Sequence, residues 1–106
     1  MLGIDIVFLP EFKKKIKKSA DKVFLPIELS QNKTVESLAG VFAAKEAFFK
    51  AIGKKEDWLE VWVEKEESGK PVIYSDLVPS TTKKEVSISH AGDYAIAVVV
   101  IYEDFN

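Results

Sequence analysis

The sequence contains no cysteine and no arginine, and it contains only one histidine. The lack of cysteine excludes disulfides, cysteine nucleophiles and thiolate metal sites, and one histidine gives little support for a zinc site. The lack of arginine means that any phosphate group must be bound by compact lysine ammonium groups, because no planar guanidinium is present. Carboxylates and lysines are therefore the main candidates for chemistry.

Long apolar runs and an excess of positive charge are also missing. The longest apolar run, residues 94–102, is about half as long as a membrane-spanning helix requires. The first residues show no basic region followed by the apolar core of a secretion signal, so we expect a cytoplasmic protein that does not enter membranes. The formal net charge of −2 argues against broad nucleic-acid binding, which depends on clustered cations.

The 106 residues, of which 47% are hydrophobic, suit one domain over residues 1–106. Helical spacing predicts a helix from Pro10 to Val23 and a longer one that begins after the N-cap Thr34 and ends before Gly53. Between them, 30–33 is expected to be a loop. Alternation and turn residues predict strands over 2–7, 58–64, 71–74, 86–90 and 94–102.

The same patterns predict which side chains face the core. In the long helix these positions are Val35, Leu38, Phe42, Phe49 and Ile52. In the strand that begins at Trp58 they are Leu59, Val61 and Val63, whereas Trp58 and Trp62 are expected to point away from them.

Five lysines lie close together near the start of the chain, within the first predicted helix. They are Lys13, Lys14, Lys15, Lys17 and Lys18. A solvated helix surface and a docking face for an acidic protein partner both explain this basic segment, and the residues alone leave the choice open.

Residues 2–7 form an apolar run that predicts a buried strand, and Asp5 interrupts this run between Ile4 and Ile6. An unpaired carboxylate in such surroundings costs several kcal/mol to desolvate, so it requires a partner. A lysine, a backbone turn and a metal ion all remain open as that partner.

Glu46 and Lys50 fall into one stripe of the long helix with Ala39 and Ala43. The small alanine side chains would allow a ligand or second chain to approach the acid and the base. The alternative is an ordinary surface pair at positions i and i+4. Lys45 lies near the middle of the apolar stripe, and its side chain could extend past its neighbours so that the ammonium group emerges beside Glu46 or a bound phosphate. A lysine that reaches solvent in this way without any function is the alternative.

A separated aspartate and glutamate beside lysines match what magnesium requires, because this ion commonly binds one or two carboxylates together with phosphate and water. His90 ends a predicted strand at a glycine-containing turn. It could be a general base or a phosphate contact, although a single histidine at a strand end is often only hydrogen bonded.

Several segments together resemble the holo-acyl-carrier-protein synthase family of 4′-phosphopantetheinyl transferases over almost the whole chain. They are Gly3-Ile-Asp-Ile-Val7, Leu38-Ala-Gly-Val-Phe-Ala-Ala-Lys-Glu-Ala47 with Lys50-Ala51 and Gly53, Trp58-Leu-Glu-Val61, Gly69-Lys-Pro71, and Val86-Ser-Ile-Ser-His90 with Ala95 and Ala97. The most specific are Phe-Ala-Ala-Lys-Glu-Ala and Ser-Ile-Ser-His.

The resemblance implies transfer of the phosphopantetheine arm of coenzyme A to a serine of apo-acyl carrier protein, with release of adenosine 3′,5′-bisphosphate. It implies that Asp5 and Glu46 bind Mg²⁺ and that Lys50 contacts the pyrophosphate. Glu46, through a water molecule, or His90 would accept the serine proton. The remaining coenzyme A contacts would be Lys45, Gly69, Lys70, Pro71 and Ser89 with His90.

The resemblance also implies an α+β fold, in which an antiparallel sheet packs on one long helix and a shorter N-terminal helix. It further implies a homotrimer with active sites between subunits, with Trp58 and Trp62 as candidates for covering the interface. The basic segment, chiefly Lys13, Lys14, Lys17 and Lys18, would bind the acidic carrier protein.

The chain departs from the family pattern at two places. Val41 stands where the family usually has an arginine, and residues 54–57 replace the usual glycine-rich loop. Lys54 and Lys55 are candidates to replace the lost charge. A non-catalytic module that binds coenzyme A or the carrier protein is therefore the alternative.

Overall fold

The structure is a computed structural model that describes residues 1–103. The last three residues of the domain predicted over 1–106 lie outside this range. The helices are α1 (Leu9–Ile16), α2 (Ala20–Val23), α3 (Pro26–Gln31) and α4 (Val35–Ile52), and a short 3₁₀ turn covers Trp58–Glu60. The strands are β1 (Leu2–Phe8), β2 (Val61–Lys65), β3 (Pro71–Ser75), β4 (Thr82–Ala91) and β5 (Tyr94–Glu103).

Two antiparallel sheets pack against the long helix α4, which confirms the predicted α+β class. Strands β1, β5 and β4 form a three-stranded sheet in that order, and β2 pairs with β3 in a separate hairpin. The turn between β4 and β5 contains Gly92 at φ +54°, a left-handed conformation that costs glycine little. This turn sets the register in which His90 faces Ala95. Among the described residues, no helix is long and apolar enough to cross a membrane.

Helix α4 begins and ends where the sequence predicts. The Thr34 hydroxyl accepts a hydrogen bond from the Ser37 amide at 3.1 Å, and Gly53 ends the helix at φ +68°. The fully buried face, however, is largely the small-residue face, because the sheet lies directly on Ala39, Ala43 and Ala47. Val35, Leu38, Phe42 and Ile52 are only partly buried, so of the predicted apolar stripe only Phe49 is fully buried.

Strand β1 approaches the backbone of α4 at Gly3. A Cβ atom at this position would lie 1.8 Å from the carbonyl oxygen of Ala47, so a larger residue cannot be accommodated without a shift of backbone. The side chain of Asp5, two residues further along β1, faces the same helix. This close packing fixes the position of Asp5 relative to α4.

The prediction of a buried strand is correct for only one face of β1. Gly3 and Val7 are buried on the face toward α4, and Asp5 is half-buried on that face. Ile4 and Ile6 point the other way and are 55% and 61% exposed. The apolar neighbours of Asp5 in sequence therefore lie on the opposite side of the sheet from its carboxylate.

The N-terminal helical region is more divided than its pattern predicts. The chain leaves the helix after Ile16, and Pro26 begins a further helix, α3, where the sequence predicts a break and then a loop. Trp58 lies in the 3₁₀ turn and packs on Phe42 and Phe49 with ring centroids 5.0 and 6.0 Å apart. Trp58 therefore belongs with the core, while Leu59, predicted to be buried, is exposed.

Candidate active site

Asp5 and Lys50 join strand β1 to the last turn of α4. The Lys50 Nζ donates to Asp5 Oδ1 at 2.9 Å and to the carbonyl oxygen of Ile4 at 3.3 Å. The Asp5 side chain is only 12% exposed, whereas that of Lys50 is 55% exposed. The hydrogen bond to Asp5 raises the pKa of Lys50, so this side chain stays charged. A lysine is therefore one partner of the buried aspartate.

Glu46 lies one turn before Lys50 on α4, at the same cleft. Burial raises the pKa of Glu46, and the negative charges of Asp5 and Glu56 raise it further. Lys50 and Lys15 oppose this rise. The two carboxylates of Asp5 and Glu46 are thus close enough to repel each other, and a cation between them would relieve that repulsion.

The cleft that contains both acids has a volume of about 170 Å³. Strand β1 and helix α4 form one side, and α1 supplies Glu11, Phe12 and Lys15 on the other. Lys15 is paired with Glu11 at 3.2 Å. The cleft therefore combines an acidic centre with an aromatic wall and basic residues at its edge.

The residues of this cleft fit magnesium. Two carboxylate groups face one space, and magnesium is commonly bound by one or two carboxylates while water and phosphate oxygens complete the octahedron. Within residues 1–103, no group of three or more acidic or histidine side chains is arranged to hold a metal ion. The site therefore suits an ion that arrives with a phosphate-bearing substrate better than an ion held by the protein alone.

A second cavity, of about 200 Å³, contains other residues expected at the site. Gly69 and Pro71 from the β2–β3 turn line it together with His90 at the end of β4. Val41 of α4 forms part of its floor. The Nε2 of His90 lies 2.9 Å from the carbonyl oxygen of Glu36, which can only accept, so Nε2 carries the proton and Nδ1 is the available acceptor.

The two cavities lie at different heights along α4. The His90 ring packs on α4 at Gly40, where an added Cβ atom would lie 2.9 Å from Nε2, and Glu46 follows six residues later. At 1.5 Å and about 100° per residue, Glu46 lies roughly 9 Å further along the axis and on another face of the helix. A single chain therefore does not bring His90 and Glu46 together around one reacting group.

Comparison with known proteins identifies the family of the chain. Residues 1–99 match the model of the 4′-phosphopantetheinyl transferase superfamily. The chain belongs to this superfamily. Holo-acyl-carrier-protein synthase of Geobacillus sp. strain WCH70 is 39% identical over 94% of this chain and 93% of its own. The synthase of Halalkalibacterium halodurans is 40% identical, covering 93% and 92%.

Solved structures of superfamily members show the same fold. The Helicobacter pylori holo-acyl-carrier-protein synthase, in complex with coenzyme A, has a TM-score of 0.85 at 31% identity, covering 95% of this chain and 99% of that one. The Bacillus anthracis synthase, in complex with CoA (3′,5′-ADP), has a TM-score of 0.84 at 30% identity, covering 97% and 96%. The recognised family and fold are thereby confirmed.

Lys45 does not reach the candidate site of this transferase-superfamily chain, so its predicted contact with coenzyme A is wrong. Its ammonium group is fully buried on the opposite side of α4, where it donates to Glu28 Oε1 at 2.7 Å and to the carbonyl of Val23. Glu28 also accepts from the amides of Leu25 and Val63, each at 2.9 Å. Lys45 joins the α2–α3 region and β2 to α4.

Lys70 and Ser89 are also placed away from the His90 cavity. Lys70 lines a separate cleft between β3 and β4, together with Lys83 and Lys84. Ser89 points to the outer face of the three-stranded sheet, beside Ile4 and Ile96. Within one chain, neither joins the group formed by Gly69, Pro71 and His90.

The basic segment is exposed on α1 and the turn that follows it. The exposed residues are Lys13, Lys14, Lys15, Lys17 and Lys18. Because Lys15 lines the Asp5–Glu46 cleft, this surface adjoins the candidate site. A partner bound here would lie next to the two carboxylates.

Two polar residues with structural or binding roles were not singled out from the sequence. Glu28 is fully buried and holds Lys45, and Lys65 lines the His90 cavity. Lys65 stands among charged residues that resemble an ordinary exposed surface, and Glu28 stands between Ile27 and Leu29 in a short segment. The one available signal for Glu28 was Lys45 itself, because a lysine inside an apolar stripe requires an acidic partner.

Proposed function

We propose that this protein transfers the 4′-phosphopantetheine group from coenzyme A to a serine of apo-acyl carrier protein, giving the holo form and adenosine 3′,5′-bisphosphate. The observation that carries the proposal is the cleft where Asp5 and Glu46 face one space beside Lys50. This arrangement suits a metal-bound pyrophosphate. The relatives named holo-acyl-carrier-protein synthase support the choice of substrates.

Asp5 and Glu46 would hold Mg²⁺, and this ion would neutralise charge on the pyrophosphate when bound. Lys50 extends from α4 over the Asp5 carboxylate and is exposed enough to meet a phosphate oxygen. Its raised pKa keeps the ammonium group charged through the neutral range. Lys50 thus stabilises the negative charge that develops as the carrier serine attacks the β-phosphorus.

Glu46 is the favoured acceptor of the serine proton, through a water molecule. A carboxylate that also binds Mg²⁺ is a poor base directly, so the water molecule would relay the proton to it. His90 is the alternative base, because its Nδ1 is free to accept when Nε2 donates to Glu36. Because His90 and Glu46 lie at different heights and on different faces of α4, His90 could serve only at a site completed by a neighbouring subunit.

The cavity formed by Gly69, Pro71 and His90 would receive the nucleotide part of coenzyme A. Its floor of Val41, Val63 and Ile88 suits an adenine ring, while the rim is polar. The metal cleft and this cavity would then belong to different copies of the chain, so one active site would form between two subunits.

The outer face of the three-stranded sheet supports assembly with further copies of the chain, and the family resemblance implies a homotrimer. It exposes apolar side chains of β1 and β5, namely Leu2, Ile4, Ile6, Phe8, Tyr94, Ile96, Val100 and Tyr102. A continuous apolar face of this kind is uncommon on a monomer and indicates contact with another chain. Ile6→Lys should give monomers on size-exclusion chromatography with light scattering, and a mass unchanged from that of the parent protein would oppose this interface.

The basic segment would bind the acyl carrier protein, with Lys13, Lys14, Lys17 and Lys18 as the contacts. All four are exposed on the surface that adjoins the metal cleft. Lysine ammonium groups would attract an acidic partner chiefly through long-range charge, which steers association and is screened by salt.

Mass spectrometry of apo-acyl carrier protein incubated with the protein, coenzyme A and Mg²⁺ tests the function. The expected result is a mass gain of one phosphopantetheine arm, lost in Asp5→Ala and in Glu46→Ala. Lys22→Met, an exposed change on α2, is the matched control. If both site variants modify the carrier at the parental rate, the metal assignment is wrong.

The same experiment tests the non-catalytic module, which Val41 and the short segment 54–57 motivate. Retained binding without any mass gain in the parent protein would support that alternative.

A further inference from the structure

Because residue 41 is a valine, helix α4 supplies no cation to the His90 cavity at this position. The structure shows that a lysine from another element lines the same cavity. Lys65, the last residue of β2, lines this cavity opposite Val41. Lys54 and Lys55, the replacements considered from the sequence, follow the other end of α4. That end, Ile52, is roughly 17 Å along the helix from Val41, which lines the cavity. They therefore cannot supply charge to the same cavity within one chain.

The ammonium group of Lys65 is held in place but is not neutralised. Its Nζ donates to the Ser37 hydroxyl at 3.2 Å and to the carbonyl of Gln31 at 3.3 Å. Ser37 in turn donates to the amide oxygen of the buried Asn32. The ion pairs among residues 1–103 do not include Lys65, so its positive charge has no carboxylate within ion-pair distance.

These contacts preorganise a site for an anion. A lysine bound only to two neutral acceptors keeps its positive charge and the third of its N–H donors for a ligand at one rim of the cavity. A phosphate oxygen is an acceptor that matches such a compact lysine charge.

We propose that Lys65 is the phosphate-binding cation of this cavity and contacts the 3′-phosphate of coenzyme A in place of a cation at position 41. This inference rests on the proposed function, which assigns the cavity to the nucleotide. Asp5, Glu46 and Lys50 already account for the pyrophosphate, so the 3′-phosphate monoester is the anionic group that remains.

A purely structural role for Lys65 makes a different prediction. In that case Lys65 only binds the carbonyl of Gln31, the last residue of α3, where its positive charge interacts favourably with the negative end of the helix. Its removal would then lower the melting temperature without distinguishing between coenzyme A and its analogue that lacks the 3′-phosphate.

The test is calorimetric binding of coenzyme A and of 3′-dephospho-coenzyme A to the full chain with Mg²⁺. Lys65→Met should weaken coenzyme A binding about tenfold, the effect of one partly solvated charge-assisted contact. It should leave the affinity for the dephospho analogue unchanged. Lys65→Arg should retain most of the affinity for coenzyme A, and Lys22→Met, which removes an exposed charge elsewhere, should bind both ligands as the parent protein does.

Equal weakening of both ligands, or no weakening of either, overturns the assignment of Lys65 while leaving the proposed function intact. Failure of the unchanged protein to bind coenzyme A at all overturns the proposed function and this inference together. A melting curve for each variant separates loss of fold from loss of binding.

Discussion

Removal of one partner from the buried Lys45–Glu28 pair should destabilise the protein far more than removal of an exposed charge. Both side chains are completely excluded from solvent. In Lys45→Met, the Glu28 carboxylate would keep the Leu25 and Val63 amides as donors but would lose the countercharge that Lys45 supplies. The variant would thus contain a buried, uncompensated negative charge.

Breaking a buried ion pair in this way costs about 3–5 kcal/mol. In a domain of this size, each kcal/mol corresponds to roughly 4 °C, so the melting temperature should fall by about 12–20 °C. The double variant Lys45→Met/Glu28→Gln removes both charges, and it should be more stable than the sum of the two single changes implies. The excess measures the coupling between the two side chains.

Thermal and urea unfolding followed by circular dichroism provide these values. The matched control is Lys15→Met, which breaks the exposed pair with Glu11, whose side chains are 72% and 63% exposed. The control should barely change the melting temperature. If Lys45→Met behaves like the control, or if the single changes are additive, Lys45 and Glu28 do not form the buried pair described here.

Three further predictions concern the site and its support. Glu46→Gln should raise the melting temperature of the metal-free protein by a few degrees at neutral pH while abolishing transfer. The pKa of Glu46 is higher in the folded protein than in the unfolded chain. The protonated form therefore contributes its full stabilisation at pH values below the unfolded-state pKa, and this stabilisation is lost as the pH rises through the folded-state pKa. In melting curves recorded over a range of pH, the variant should therefore lack this pH-dependent change in stability. Gly3→Ala should cost about 3 kcal/mol in urea unfolding, because its Cβ would overlap the Ala47 carbonyl; a cost below about 1 kcal/mol would contradict this packing. Lys14→Glu should raise the KM for the carrier protein at low salt and have little effect at high salt, whereas an equal effect at both salts would exclude electrostatic docking.

The long helix shows which parts of the fold the sequence could predict. Its ends were predictable, because Thr34 and Gly53 act through local backbone chemistry. Its buried face was not, because large apolar side chains were taken as core and alanines as an open surface. In the structure, the sheet approaches so closely that alanine is the residue that fits. Helical periodicity alone does not reveal that distance.

Strand β1 shows a second kind of limit. An apolar run is compatible both with a strand buried in its own chain and with a strand whose outer face meets another chain. Ile4 and Ile6 were therefore placed in a core that the single chain does not form around them. Asp5, which lies in the same run of residues, was correctly predicted to need a partner, because that expectation follows from the cost of desolvating a carboxylate.

The candidate site was predictable in parts but not as a whole. Asp5, Glu46 and Lys50 do lie together, and the acidic residues stand on the elements that the pattern indicated. Lys45 was misplaced because a helical wheel gives the direction of a side chain and not the position of its partner, Glu28. Tertiary contacts between residues far apart in sequence decide such cases.

The spacing of Glu46 and His90 along α4 has a consequence for mixtures of damaged subunits. Asp5→Ala and His90→Ala would each disable a different half of the proposed intersubunit site. In a mixed assembly, some interfaces would pair an intact metal cleft from one chain with an intact nucleotide cavity from the other. Two inactive preparations, unfolded together and refolded, should therefore regain a fraction of the activity that neither has alone.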